Sequence, residues 1–196
     1  MQQMWTDIDH YIDSHLIPED PNLQFALENT ANQGFPDHLA VAPNQGMLLQ
    51  MLIQMNQCKR VLELGTFAAY STVWLARTLP KDGYLLTIEG RDTHAALAQQ
   101  NIDHAQFEVP VELKVGRAAD ILREIDPTTF EPFDFIFIDA DKQSYPEYLE
   151  LTLNLSHSGT ILVLDNVIRA GDILDENNKK PSIEGIRQTF EALQNH

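Results

Sequence analysis

Arg60-Val61-Leu62-Glu63-Leu64-Gly65-Thr66 is a short apolar strand closed by glycine, and a helix is predicted behind it over 70–78. The same unit recurs along the chain. Tyr84-Leu85-Leu86-Thr87-Ile88 is closed by Glu89 and followed by a helix over 93–107. Val111-Glu112-Leu113-Lys114-Val115 ends at Gly116, with a short helix over 119–124. Phe133-Asp134-Phe135-Ile136-Phe137-Ile138 ends at Asp139, with a helix over 145–155. Gly159-Thr160-Ile161-Leu162-Val163-Leu164 ends at Asp165, and a last helix covers 182–194. Strands this continuously apolar, alternating with helices, are buried on both faces. The pattern therefore predicts an α/β, doubly wound parallel sheet with right-handed crossovers.

Upstream of that alternation the chain reads as helices. Met4, Ile8, Tyr11, Ile12 and His15 recur at helical spacing, Pro18 and Pro21 interrupt, and a second helix is predicted over 22–32. A third, over 44–56, carries Met47, Leu48, Met51, Leu52 and Met55 on one face, expected as core contacts. The 196 residues, 43% hydrophobic and 21% charged, suit a single domain over 1–196, with 1–58 as its helical N-terminal part. Lone Cys58 excludes an internal disulfide and fits a reducing cytoplasm. The opening Met1-Gln2-Gln3-Met4-Trp5 lacks the regions of a signal peptide, and no apolar run is long enough for a bilayer. A formal charge of −16 repels phosphate backbones and anionic membranes, so neither nucleic acid nor a membrane is expected as a partner.

Parallel sheets bind ligands at the carboxyl ends of their strands. The residues there are Gly65-Thr66, Glu89, Gly116-Arg117-Ala118, Asp139 and Asp165-Asn166. Gly65 lets a ligand approach the backbone before the next helix opens, and Glu89 follows at the interval where an acid takes a ribose diol. A nucleoside ligand fits this pair. A plain strand-to-helix turn with a strand-end acid fits it equally, since 63–70 carries only one glycine and no phosphate-binding lysine. If the fourth and fifth strands are neighbours, Asp139 and Asp165 end about 5 Å apart. Two carboxylates that close repel unless a cation lies between them, and with the Asn166 amide they form a hard-oxygen set suited to magnesium, calcium or manganese. Acids that merely end strands and cap loops would look the same. Lys142 is either a general base or a surface lysine paired with Asp139 or Asp141. The seven histidines form no H-E-x-x-H pair, and no G-x-S-x-G elbow occurs.

Val61-Leu62-Glu63-Leu64-Gly65-Thr66, Tyr70-Ser71, Phe137-Ile138-Asp139-Ala140-Asp141-Lys142 and Asp165-Asn166-Val167 together resemble the cation-dependent O-methyltransferase family, which includes catechol and caffeoyl-CoA O-methyltransferases. The resemblance runs from about Val41 to the last helix. It implies a Rossmann-like sheet of order 3-2-1-4-5, S-adenosylmethionine as methyl donor, Mg2+ or a similar cation, a catechol-like aromatic diol as acceptor, and a homodimer. It implies Asp139, Asp165 and Asn166 as metal ligands and Lys142 as the base. Glu89 would bind the ribose, and Gly65 and Thr66 would lie against the cofactor. Glu63, Ser71, Asp139 and the Val41 backbone would hold its methionine portion, with Ala118 near the adenine and Tyr148 against the cofactor. The helices of 1–58 and the loop over 168–181 would wall the acceptor pocket.

Two departures stand out. Ala69 occupies a position where the family usually has glycine, and alanine resists a positive φ. The chain stops at His196 where the family continues into an antiparallel strand pair, so either the chain is a truncation or the sheet edge is incomplete. Two other readings compete: a nicotinamide-dependent oxidoreductase, and an S-adenosylmethionine-binding or dimerisation module without turnover.

Overall fold

The computed structural model describes residues 2–36 and 39–194; the last two positions of the expected 1–196 domain lie outside it. Three helices come first: α1 (Gln2–Leu16), α2 (Pro21–Asn32) and α3 (Pro43–Met55). Alternation follows through β1 (Arg60–Leu64), α4 (Tyr70–Ala76), β2 (Tyr84–Glu89), α5 (Asp92–Ala105), β3 (Val111–Val115), α6 (Ala118–Arg123), β4 (Phe133–Ile138), α7 (Tyr145–Leu153), β5 (Ser156–Leu164) and α8 (Pro181–Leu193). A 3-10 turn (Lys142–Ser144) leads into α7, and another (Arg169–Leu174), kinked at Ala170 and Gly171, lies in the loop before α8.

All strand pairs are parallel, in the order β3-β2-β1-β4-β5. Alternation along each strand separates two cores. Leu62, Leu64, Leu86, Ile88, Ile136 and Ile138 face Leu122 of α6, Tyr145 and Tyr148 of α7 and Ile186 of α8. Val61, Leu85, Phe135 and Phe137 face Leu49 and Ile53 of α3 and Leu75 of α4. Among the described residues no helix is long and apolar enough to cross a membrane.

Two expectations need correction. The buried face of α3 is Gly46, Leu49 and Ile53, whereas Leu48, Met51 and Met55 are 53%, 47% and 74% exposed. The helix is apolar on most sides, so periodicity alone could not select its inner face. β5 begins at Ser156 rather than 159, because its polar first half is held by side chains. His157 Nε2 lies 2.9 Å from Asp134 Oδ1, and Thr160 Oγ1 donates to the Phe133 carbonyl at 2.7 Å. The register shifts between Phe133 and Phe135 at this irregularity.

Helix α3 sits hard against α4. A Cβ at Gly46 would fall 2.4 Å from Nε1 of the fully buried Trp74, and the Arg77 guanidinium covers that ring at 3.8 Å while donating to Gln50 Oε1. Gly46→Ala should therefore overpack this contact and cost about 1–3 kcal/mol. Thermal denaturation checks it: Tm should drop by about 2–4 °C per kcal/mol for a chain of this size.

Candidate active site

Four of the five strands extend their ladders by one residue, and that residue is glycine or aspartate. Gly65 N–H donates to the Ile88 carbonyl (2.9 Å), Gly116 N–H to Glu89 (2.9 Å), Asp139 N–H to Leu64 (2.8 Å) and Asp165 N–H to Ile138 (3.0 Å). The strand-end residues singled out in the sequence thus meet along one edge. Gly65 is required there: its φ is +95°, and a Cβ would fall 2.2 Å from the Asp139 carbonyl oxygen.

The loop after Gly65 is sharply turned. Phe67 and Ala69 both adopt left-handed backbone, at φ 48° and 60°. Alanine therefore takes the conformation that glycine prefers, at a cost of about 1–2 kcal/mol, while its fully buried methyl packs with Ala98 and Ile102. The Asn101 amide anchors the loop by donating to the Ala68 carbonyl at 2.8 Å.

Beneath the loop lies Glu63, completely buried. Ser71 Oγ donates to its Oε1 at 2.5 Å, and Thr72 and Thr87 hydroxyls donate to Oε2 at 2.6 and 2.7 Å. Thr66 Oγ1 joins the same network, 2.5 Å from Thr87 Oγ1. Burial pushes the Glu63 carboxyl up to about 7, against the opposing pull of these hydroxyls.

A cleft of about 720 Å³ opens along the edge. Val41, Gly65, Thr66, Ser71, Ala118, Asp139 and Tyr148 line it, as does Lys142. Two expected cofactor residues stand behind this lining. Glu63 is enclosed by its hydroxyl donors and reaches the cleft only through Ser71 and Thr66. Glu89 lies between the cleft-lining Ile88 and Gly90, its carboxylate held by the N–H groups of Phe67 (2.8 Å) and Arg91 (2.9 Å). Arg117, one of the strand-end residues, lines the cleft too, and Phe67, Arg91 and His94 line it without having been singled out. Their trace in the sequence is position, since each follows a strand tip by two to five residues. Phe67, His94 and Phe35 pack edge to face, and His94 Nδ1 lies 3.6 Å from Glu89 Oε1.

The acidic cluster lies at the tips of β4 and β5. Tyr145 Oη pins both tips, donating to the Ile138 carbonyl at 2.8 Å and the Asp165 carbonyl at 3.0 Å. Asp139 Oδ1 accepts from Lys142 Nζ at 2.5 Å, so the lysine is the ion-pair partner of this carboxylate. Burial raises the Asp139 carboxyl; Lys142 opposes that rise, and the like charge of Asp165 adds to it. Asp165 Oδ1 accepts from the Asn166 backbone N–H (2.5 Å) and amide (3.0 Å), and Oδ2 accepts from Gln45 Nε2 (2.8 Å). Asn166 takes a left-handed backbone at φ 53° and lines the cleft. Asp141 Oδ1 accepts from Tyr148 Oη at 2.5 Å, which fixes the tyrosine on the cleft wall. Among the described residues no group of three His, Cys, Asp or Glu side chains is arranged to hold a metal. Two carboxylates plus an amide oxygen nevertheless fit a hard divalent cation, which would offset the Asp139–Asp165 repulsion.

The O-methyltransferase family matches residues 14–195 of this chain. The catechol O-methyltransferase of Niastella koreensis is 48% identical over 191 residues, spanning 97% of this chain and 86% of that protein. The catechol O-methyltransferase of Mycobacterium tuberculosis is 38% identical over 191 residues, spanning 97% and 84%. Among solved structures, the O-methyltransferase from Bacillus cereus in complex with SAH superposes with a TM-score of 0.95 at 42% identity, covering 100% of this chain and 89% of that one. The O-methyltransferase of Streptomyces achromogenes involved in tomaymycin synthesis, in complex with SAM, gives 0.93 at 40% identity, covering 100% and 87%.

Glu63 makes stability depend on pH. Folded, it keeps its proton up to about pH 7, whereas its ordinary value is 4.5. The folded state binds the extra proton between those values. This group's contribution is therefore complete below about pH 4.5 and lost as pH rises through 7, by up to about 3 kcal/mol. In urea denaturation at pH 5 and pH 8, Glu63→Gln should flatten that part of the slope; an unchanged slope would contradict the assignment.

Proposed function

Since this chain belongs to the O-methyltransferase family and is an S-adenosylmethionine-dependent enzyme, we propose that it methylates one hydroxyl of a vicinal dihydroxy aromatic held on a divalent cation by Asp139, Asp165 and Asn166. The observation that supports the cation most is the meeting of Asp139 and Asp165 at adjoining strand tips, each one residue beyond the paired Ile138 and Leu164. Similarity to the two catechol O-methyltransferases supports the catechol acceptor.

In this reading Gly65 and Thr66 lie against the donor, and Ser71, Asp139 and the Val41 backbone hold its methionine portion, with Glu63 acting through Ser71. Glu89, its carboxylate already oriented by two backbone N–H groups, takes the ribose hydroxyls. Ala118 lies by the adenine, and Tyr148 closes the wall. The cation, when bound, makes a neighbouring hydroxyl more acidic. Lys142 has two partners to choose between. Without a cation its ammonium neutralises Asp139; with Asp139 otherwise engaged, the ammonium would first give one proton to solvent, and the neutral amine could then take the acceptor's hydroxyl proton. Lys142 Nζ receives that proton as the O–CH3 bond forms and the S–CH3 bond breaks. Holding donor and acceptor in line is the larger contribution, up to about 7–11 kcal/mol in favourable cases. Family membership displaces the nicotinamide oxidoreductase reading, because no hydride carrier is needed.

Methyl transfer to a panel of vicinal diphenols should require Mg2+ and stop with chelator. Loss of an outer-sphere partner in metal sites costs about 10–100-fold, so Asp139→Ala, which removes a direct ligand, should lower kcat/KM by more than that. Lys142→Met should lower kcat by about 10²–10⁴-fold while S-adenosylmethionine affinity is retained. Full turnover in chelator would refute the cation; donor binding with no transfer to any diphenol would favour a module without turnover.

A further inference from the structure

The carboxylates of Asp139 and Asp165 are held in different ways. Asp139 accepts from an ammonium, Lys142 Nζ. Among the described residues Asp165 is held by amides: the backbone and side chain of Asn166 at Oδ1, and Gln45 Nε2 at Oδ2, 2.8 Å away across 120 positions of sequence. An ammonium competes with a metal for the carboxylate it neutralises. A neutral amide fixes the carboxylate's direction and leaves its charge intact, which suits a ligand that must meet a cation.

Gln45 stands on a firm base. It lies in the first turn of α3, half-buried, and the next residue is Gly46, where the helix backbone rests on the Trp74 ring with no room for a side chain. Asn44 beside it donates to Asp9 of α1 at 3.1 Å, and Gln50 one turn on is clamped by Arg77. The seat of α3 thus fixes where the Gln45 amide can reach.

We propose that Gln45 is a positioning residue that orients the Asp165 carboxylate for the divalent cation and couples the N-terminal helices to the metal end of the cleft. The inference rests on the cation reading above. Outer-sphere hydrogen bonds of this kind typically set metal affinity by about 10–100-fold.

The test titrates the full chain, saturated with S-adenosylmethionine, with Mn2+ alone, following free Mn2+ by electron paramagnetic resonance. Wild type, Gln45→Met, Gln45→Asn and Asp165→Asn are compared, with donor affinity and Tm measured in parallel. Met keeps the bulk without a donor; Asn keeps the amide but falls short of Oδ2. Both Gln45 variants should weaken Mn2+ by about 10–100-fold with donor affinity unchanged, a split that a merely structural role would not produce. Wild-type Mn2+ affinity in both Gln45 variants, with Asp165→Asn defective, overturns the role of Gln45 and leaves the cation reading standing. No Mn2+ uptake by wild type, or undiminished uptake by Asp165→Asn, overturns both.

Discussion

The tip of β4 is hydrogen-bonded on both sides, and the site depends on that. On one side Asp139 N–H reaches the Leu64 carbonyl; on the other, the Ile138 carbonyl receives Asp165 N–H. These two bonds bring the glycine loop, one carboxylate and the other carboxylate into a single row, and Tyr145 Oη locks the last two together. The parallel order with β4 between β1 and β5 is what makes the row possible. Gly65 then presses so closely on the Asp139 backbone that no other residue fits.

Behind the row lies a polar core that a purely apolar sheet would not need. Glu63 spends both oxygens on Ser71, Thr72 and Thr87, and Thr66 joins them. The network binds β1, β2, the loop and the start of α4 into one body. Two left-handed residues, Phe67 and Ala69, are held in that loop against their own preference. In the proposed reading, ordering the loop in this way would remove a cost that donor binding would otherwise meet.

Much of this was readable from residues alone, for physical reasons. The bounds of β1 and β4 follow from apolar runs that only a doubly covered sheet can bury, those of β3 from an alternating Val-Glu-Leu-Lys-Val stretch that forms a half-exposed edge, and the strand-end residues follow from where these stretches stop. The polar start of β5 escaped because its pairing relies on His157 and Thr160 side-chain bonds, which carry no periodic pattern. The inner face of α3 escaped because Met and Leu occur all round it, and the Trp74 contact at Gly46 decides the matter. The cleft-lining positions at strand tips were foreseeable. Gln45 was not, since its partner lies 120 positions away and a lone glutamine in a helix has no signature. The ion pairing of Lys142 with Asp139 was foreseeable as one of two alternatives, and spacing could not choose between them.

In the proposed reading Asp139, Asp165 and Asn166 converge on one cation beside the donor. Anomalous scattering from crystals grown with Mn2+ and S-adenosylhomocysteine tests it most directly. A single strong peak bounded by oxygens of those three residues is expected, with Lys142 Nζ withdrawn from Asp139. A peak elsewhere, or Asp139 still paired to Lys142 at saturating Mn2+, would contradict it.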